Sequence, residues 1–193
     1  MKLYRLIALT ALSLTVAGCG NLGSLGRNGL FAGSGSATVA PERDYTVRDV
    51  RTTVPADLRV SEANMYYPIT DIVWRGDPFG DRRSQLAAIF ETAAARGAET
   101  MRGKVPVVVD IELVRFHGVT ERTRYSIGGV YNIKFKMTVR DAATGAIIEP
   151  TRLVRADLPA PGGEAALKLD QSGQTEKVRV TDFLTTVLQR ELS

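Results

Sequence analysis

From Val130 to Arg140 the chain alternates: Ile133, Phe135, Met137 and Val139 are apolar, while Asn132, Lys134, Lys136, Thr138 and Arg140 interleave. A period of two puts successive side chains on opposite faces of an extended strand. It calls for one covered face and one that is wet or bound. Val105 to Phe116 repeats the pattern, with Val107, Val109, Ile111 and Leu113 on one side and Asp110 and Glu112 on the other. Asp141-Ala-Ala-Thr-Gly145 reads as a hairpin turn. Ala146 to Ala156 returns as a third strand, in which Pro150 marks an edge strand or a bulge. Two further strands precede these: Tyr45 to Val54, rich in β-branched residues and stopped by Pro55, and Ile69 to Trp74, closed by Gly76-Asp77-Pro78.

The clearest helix runs from about Arg82 to Arg96. Asp81 is its N-cap, and Leu86, Ile89, Phe90 and Ala93 form one apolar face. Gly97 stands where a glycine would end it. Glu164 to Leu169 is a short helix. Thr181 to Leu192 is an amphipathic one, with Thr181 as N-cap and Leu184, Val187 and Leu188 on one side. The expected fold class is α+β: a mostly antiparallel sheet of about five strands with two helices packed on one face, in two layers.

The N-terminus carries an address. Leu6 to Ala17 is an apolar run of about 12 residues behind Lys2 and Arg5, a secretory leader too short to span a bilayer. It ends in Val16-Ala17-Gly18-Cys19, and Cys19 is the only cysteine of the chain. That stretch resembles the lipobox of bacterial lipoproteins. The resemblance implies a diacylglycerol on the Cys19 thiol, cleavage before it, and three acyl chains including palmitate. Stable anchoring takes more than one chain, each buried methylene adding about 0.8 kcal/mol. Gly20 in place of an aspartate resembles the class sorted to the outer membrane. Residues 20 to 40 are dominated by Gly, Ser and Asn and read as a flexible tether. The expected organisation is a signal peptide at 1–18, a lipid-anchored tether at 19–44 and one periplasmic α+β domain at 45–193.

Without the leader, 23 of the 25 basic residues face 21 acidic ones. This near balance excludes a nucleic-acid footprint. His117 is the only histidine, so triad or His-rich metal chemistry would depend on it alone. No CxxC, HExxH, GxSxG or P-loop pattern occurs. Asp110 and Glu112 share a strand face; acid–base work is one use for them, and cross-strand pairing with Lys134 or Lys136 is the favoured one. Arg75-Gly76-Asp77 is read as a turn. The chain is expected to be no enzyme and to hold no cofactor or metal.

One cluster suggests binding. Arg115, Arg122, Arg124, Lys134, Lys136 and Arg140 lie in two strands and their connection, with Glu121 the only acid between Arg115 and Arg140. If the strands pair, these cations share the non-core face and could hold an anionic lipid, a glycan or an acidic protein surface. The connecting loop Gly118 to Gly129, with Trp74, Tyr66 and Tyr67, offers a further contact surface.

Val114-Arg-Phe-His117, Thr123-Arg-Tyr125, Gly128-Gly-Val-Tyr-Asn-Ile133 and Asp71-Ile-Val-Trp-Arg-Gly-Asp-Pro78 resemble a family of uncharacterised lipoproteins of marine and related alphaproteobacteria, across the whole domain. That resemblance implies an address and no activity. The order of elements behind a lipobox also resembles auxiliary lipoproteins of envelope lipid transporters and the lipoproteins of lipopolysaccharide assembly and curli secretion, without their specific motifs. The functional expectation is a non-catalytic lipoprotein on the periplasmic side of a bacterial membrane, the outer one by preference, serving an envelope assembly or transport partner. The alternative is a binding module for anionic lipid or glycan.

Overall fold

The computed structural model describes residues 43–193. The leader, Cys19 and nearly all of the expected tether lie outside the described residues. The strands are β1 (Tyr45–Thr53), β2 (Ile72–Val73), β3 (Val105–His117), β4 (Gly129–Asp141) and β5 (Ile147–Ala160). The helices are α1 (Arg82–Ala98), α2 (Glu121–Arg124), α3 (Gly163–Gln171) and α4 (Glu176–Leu192).

The fold is α+β, and its strands form one sheet in the order β1-β3-β4-β5, with β2 paired beside the end of β3. The two longest pairings, β3–β4 and β4–β5, are antiparallel. Strands β1 and β2 both run parallel to β3, so the sheet is mixed. The reason is the long connection from Thr53 to Val105, which contains α1. A crossover through a helix returns the chain parallel, whereas a tight hairpin cannot.

Alternation sets the layers. Val107, Val109, Ile111 and Leu113 of β3 and Ile133, Phe135, Met137 and Val139 of β4 are all buried against α1 and α4. Leu86, Ile89, Phe90 and Ala93 of α1 meet them, as do Val180, Leu184, Val187 and Leu188 of α4. Phe90 packs edge-on against Phe135 with ring centroids 5.2 Å apart. Each such aliphatic or aromatic side chain contributes roughly 1.5–3 kcal/mol when fully buried. Helix α3 buries only Ala166 and lies at the margin.

Asp81 caps α1, accepting from Arg83 N at 2.9 Å. The helix does not stop at Gly97, however, but continues to Ala98. A side chain at Gly97 would place its Cβ 3.1 Å from the Thr185 carbonyl oxygen of α4. Gly97 therefore sets how closely two helices cross rather than ending one. Helix α4 begins before Thr181, capped by Thr175, which accepts from Val178 N. Thr181 is a buried interior residue whose hydroxyl donates to Lys177 O at 2.7 Å. Strand β2 is shorter than Ile69 to Trp74, and Ile69 is exposed. Beyond it, Arg75 to Pro78 turns around the fully buried Trp74, whose indole N–H donates to Asp77 Oδ2 at 2.8 Å. Pro150 sits in edge strand β5, where the register slips against β4 between Met137 and Val139. The Asp141 turn forms as read: its Oδ1 accepts from Ala143 N and Thr144 N, and Gly145 has φ 73°.

Candidate functional site

The helices cover one face of the sheet. The other face carries the second set of alternating residues: Asp110, Glu112 and Arg115 of β3; Asn132, Lys134, Lys136, Thr138 and Arg140 of β4; and Thr151, Leu153, Arg155 and Asp157 of β5. Most of its charges are matched across strands. Arg140 Nε meets Asp110 Oδ2 at 2.6 Å and Lys136 Nζ meets Glu112 Oε1 at 2.8 Å. Asn132 donates to Asp157 at 2.6 Å. Asp110 and Glu112 are thus ion-pair partners, Asp110 reaching Arg140 rather than Lys134.

The six cations expected on this face divide into three groups. Lys136 and Arg140 lie on it and are paired. Arg115 and Lys134 lie on it facing each other in register, and among the described residues neither has a carboxylate within ion-pair distance. Arg122 and Arg124 are not on the face, because the Gly118–Gly129 loop folds into α2, capped by Thr120. Arg124 turns into the protein, where it meets Glu176 at 2.9 Å and Asp170 at 2.5 Å. Glu176 also accepts from the buried Tyr131 hydroxyl. Burial pushes the Glu176 carboxyl upward in pKa, and Tyr131 and Arg124 hold it back. Arg122 lies over the Tyr66 ring at 5.3 Å.

Register adds a cation that the strand pattern of β3 and β4 does not reveal. Arg155 of β5 stands opposite Lys134. Arg115, Lys134 and Arg155 therefore form one rung across three strands. The outward positions Leu153, Arg155 and Asp157, all exposed, were the available signal. Arg115 is held in place, donating to Thr70 O at 3.1 Å and to the Tyr67 hydroxyl at 3.0 Å.

Beside this rung opens a groove of about 440 Å³ lined by Tyr66, Tyr67, His117, Ile127, Val130 and Asn132, among others. Its wall is the irregular segment before β2, clamped from below by side chains. Thr120 donates to Met65 O and Thr123 to Tyr66 O, each at 2.8 Å. His117 Nε2 lies 2.8 Å from Pro68 O. A carbonyl only accepts, so the imidazole carries its proton on Nε2. Tyr67 stacks on that imidazole, centroids 4.4 Å apart. Burial, offset in part by the Pro68 carbonyl, holds the His117 pKa below its ordinary value. The backbone of the wall is thus fixed while the apolar surface of the groove stays open: Tyr67 of the wall is 62% exposed, and Ile127 and Val130, at the junction of the β3–β4 connection with β4, are 77% and 50% exposed. Tyr66 and Tyr67 are surface residues as the contact reading requires; Trp74 is core. Among the described residues no cluster of three or more His, Cys, Asp or Glu side chains could hold a metal ion, and no helix is long and apolar enough to cross a membrane.

Residues 45–193 match the model of DUF6778, a family of unknown function, and the chain belongs to that family. No curated protein matches it significantly. Solved structures similar to this chain include a candidate lipoprotein from Caulobacter crescentus CB15, at 12% identity and TM-score 0.39, covering 74% of this chain and 86% of that one. Another is a DUF330 protein from Xanthomonas campestris, at 9% identity and TM-score 0.44, covering 76% and 81%.

Proposed function

We propose that this DUF6778 member is a non-catalytic lipoprotein, held by lipid on Cys19 at the periplasmic side of a bacterial membrane, the outer membrane by preference. Its α+β domain is an accessory module that engages a protein of an envelope assembly or transport machine. The observation that carries this reading is the one-sided packing. Helices α1 and α4 bury one sheet face, and the other ends at a groove where the clamped wall carrying Tyr67 meets exposed Ile127 and Val130. Apolar surface on a fixed backbone, rimmed by charge, suits a contact with a partner. The lipobox supports the address, and the Gly/Ser-rich tether would let the domain reach its partner.

A photocrosslinking residue at Ile127, compared with one at the exposed Leu167 of α3, tests this in intact envelopes. One envelope protein crosslinked from Ile127 alone, and lost in Cys19→Ala, is the expected result. No crosslink from Ile127 in the anchored protein contradicts it.

A second reading, a module for an anionic ligand, is favoured by the rung of Arg115, Lys134 and Arg155.

A further inference from the structure

We infer that the cationic rung and the tyrosine-walled groove are two halves of one site for a phosphate-bearing lipid. The phosphate would sit over Lys134 between Arg115 and Arg155, and the apolar chain would lie along Val130 and Ile127. The inference rests on the second reading above and gives its ligand a chemical class.

Two observations carry it. The other cations of the open face are paired, Lys136 with Glu112 and Arg140 with Asp110, while the exposed Asp157 accepts a hydrogen bond from Asn132. Like charges directly opposite each other destabilise a sheet, yet here three cations face one another in register. Neighbouring strands lie about 4.8 Å apart, so three long cationic side chains can converge on one anion. A phosphate monoester, with close to two negative charges and three acceptor oxygens, suits such a group. Arg115 is already oriented by Thr70 and Tyr67 and retains further N–H donors.

The second observation is continuity. The groove ends at Asn132, and Lys134 is the next residue on the same face of β4, about 6.6 Å further along the strand. Tyr67 belongs to both halves: its hydroxyl accepts from Arg115 and its ring covers His117. A bare anion would leave Ile127 and Val130 in water, and a neutral apolar ligand would leave the rung without an ion-pair contact, since Asp71 acts on Arg115 only at longer range. An anionic amphiphile satisfies both. Its volume of about 440 Å³ places the groove in the range of small-molecule sites.

The test is calorimetric titration of the full-length protein, in neutral detergent, with dihexanoyl phosphatidic acid, dihexanoyl phosphatidylcholine and inorganic phosphate. Phosphatidic acid should bind at least about tenfold more tightly than either of the others, a difference of about 1.4 kcal/mol. K134Q and R155Q should each weaken it several-fold, and Ile127→Asp should weaken it without changing the response to inorganic phosphate. All these positions are at least partly exposed, and thermal unfolding of each variant confirms its fold. Equal affinity for phosphatidic acid and inorganic phosphate, both dependent on Lys134, would overturn the lipid while leaving the anion site. Phosphatidic acid binding indifferent to K134Q and R155Q, or no binding of any anion, would overturn both.

Discussion

Arg124, on the short helix that begins the β3–β4 connection, donates across 2.9 Å to Glu176 at the start of α4, and both side chains are 6% exposed. This pair ties the groove's floor to the helical layer. A buried ion pair contributes little over apolar packing, but breaking one side leaves an unpaired buried charge. Arg124→Met should therefore destabilise the protein by about 3–5 kcal/mol in urea unfolding. Adding Glu176→Met should recover only part of that loss, because the buried Tyr131 hydroxyl then loses its acceptor and Asp170 its arginine. A single variant as stable as the wild type would contradict the assignment.

Acid sensitivity should arise at Glu62. The hydrogen bond from the buried Arg82, at 2.9 Å, holds its carboxyl below the ordinary 4.5, with Arg75 adding to the effect. A depressed carboxyl contributes stability that is present above pH 4.5 and lost as pH falls through the folded-state value. Glu62→Gln should lower the melting temperature at pH 7, and the gap to wild type should close in acid. Because Glu62 is partly exposed, the effect is modest. A gap independent of pH would rule this origin out.

The crossing of α1 and α4 at Gly97 gives a steric prediction. Gly97→Val improves local helix propensity but drives a branched side chain into Thr185 and Gln189 backbone atoms. Overpacking of this kind costs about 1–3 kcal/mol. Chemical denaturation decides the sign: stabilisation would mean that the helices separate freely.

His117 reports on the groove. As the only histidine it gives a single ring titration by NMR, with a midpoint expected below 6.5 because burial disfavours the imidazolium. Tyr67→Ala removes the stacked ring and should move that midpoint upward. An unchanged midpoint would show that Tyr67 does not shield the imidazole.

The sequence carried the core of this fold because β4 and α1 place apolar residues at strict periods, which Ile133–Val139 and Leu86–Ala93 then bury. Asp81 gave the start of α1 through its side-chain cap. The end was not legible, since Gly97 answers to α4, a tertiary neighbour. The early start of α4 was hidden for the same reason: Glu176 is a charged residue buried where Arg124 and the Tyr131 hydroxyl meet it. Parallel β1 could have been inferred from its long, helix-containing connection to β3. The cation face was legible in outline at Arg115 and Lys134. Arg155 and the loss of Arg124 to the interior needed the register of β5 and the folding of α2, neither of which periodicity encodes.

The central claim is that this domain works from a lipid anchor, and the mass of the N-terminal peptide from protein purified out of bacterial membranes tests it most directly. The account predicts a peptide beginning at Cys19, with residues 1–18 removed and diacylglycerol and palmitoyl masses added, all lost in Cys19→Ala. An unmodified Cys19, or a chain cut elsewhere, would contradict it.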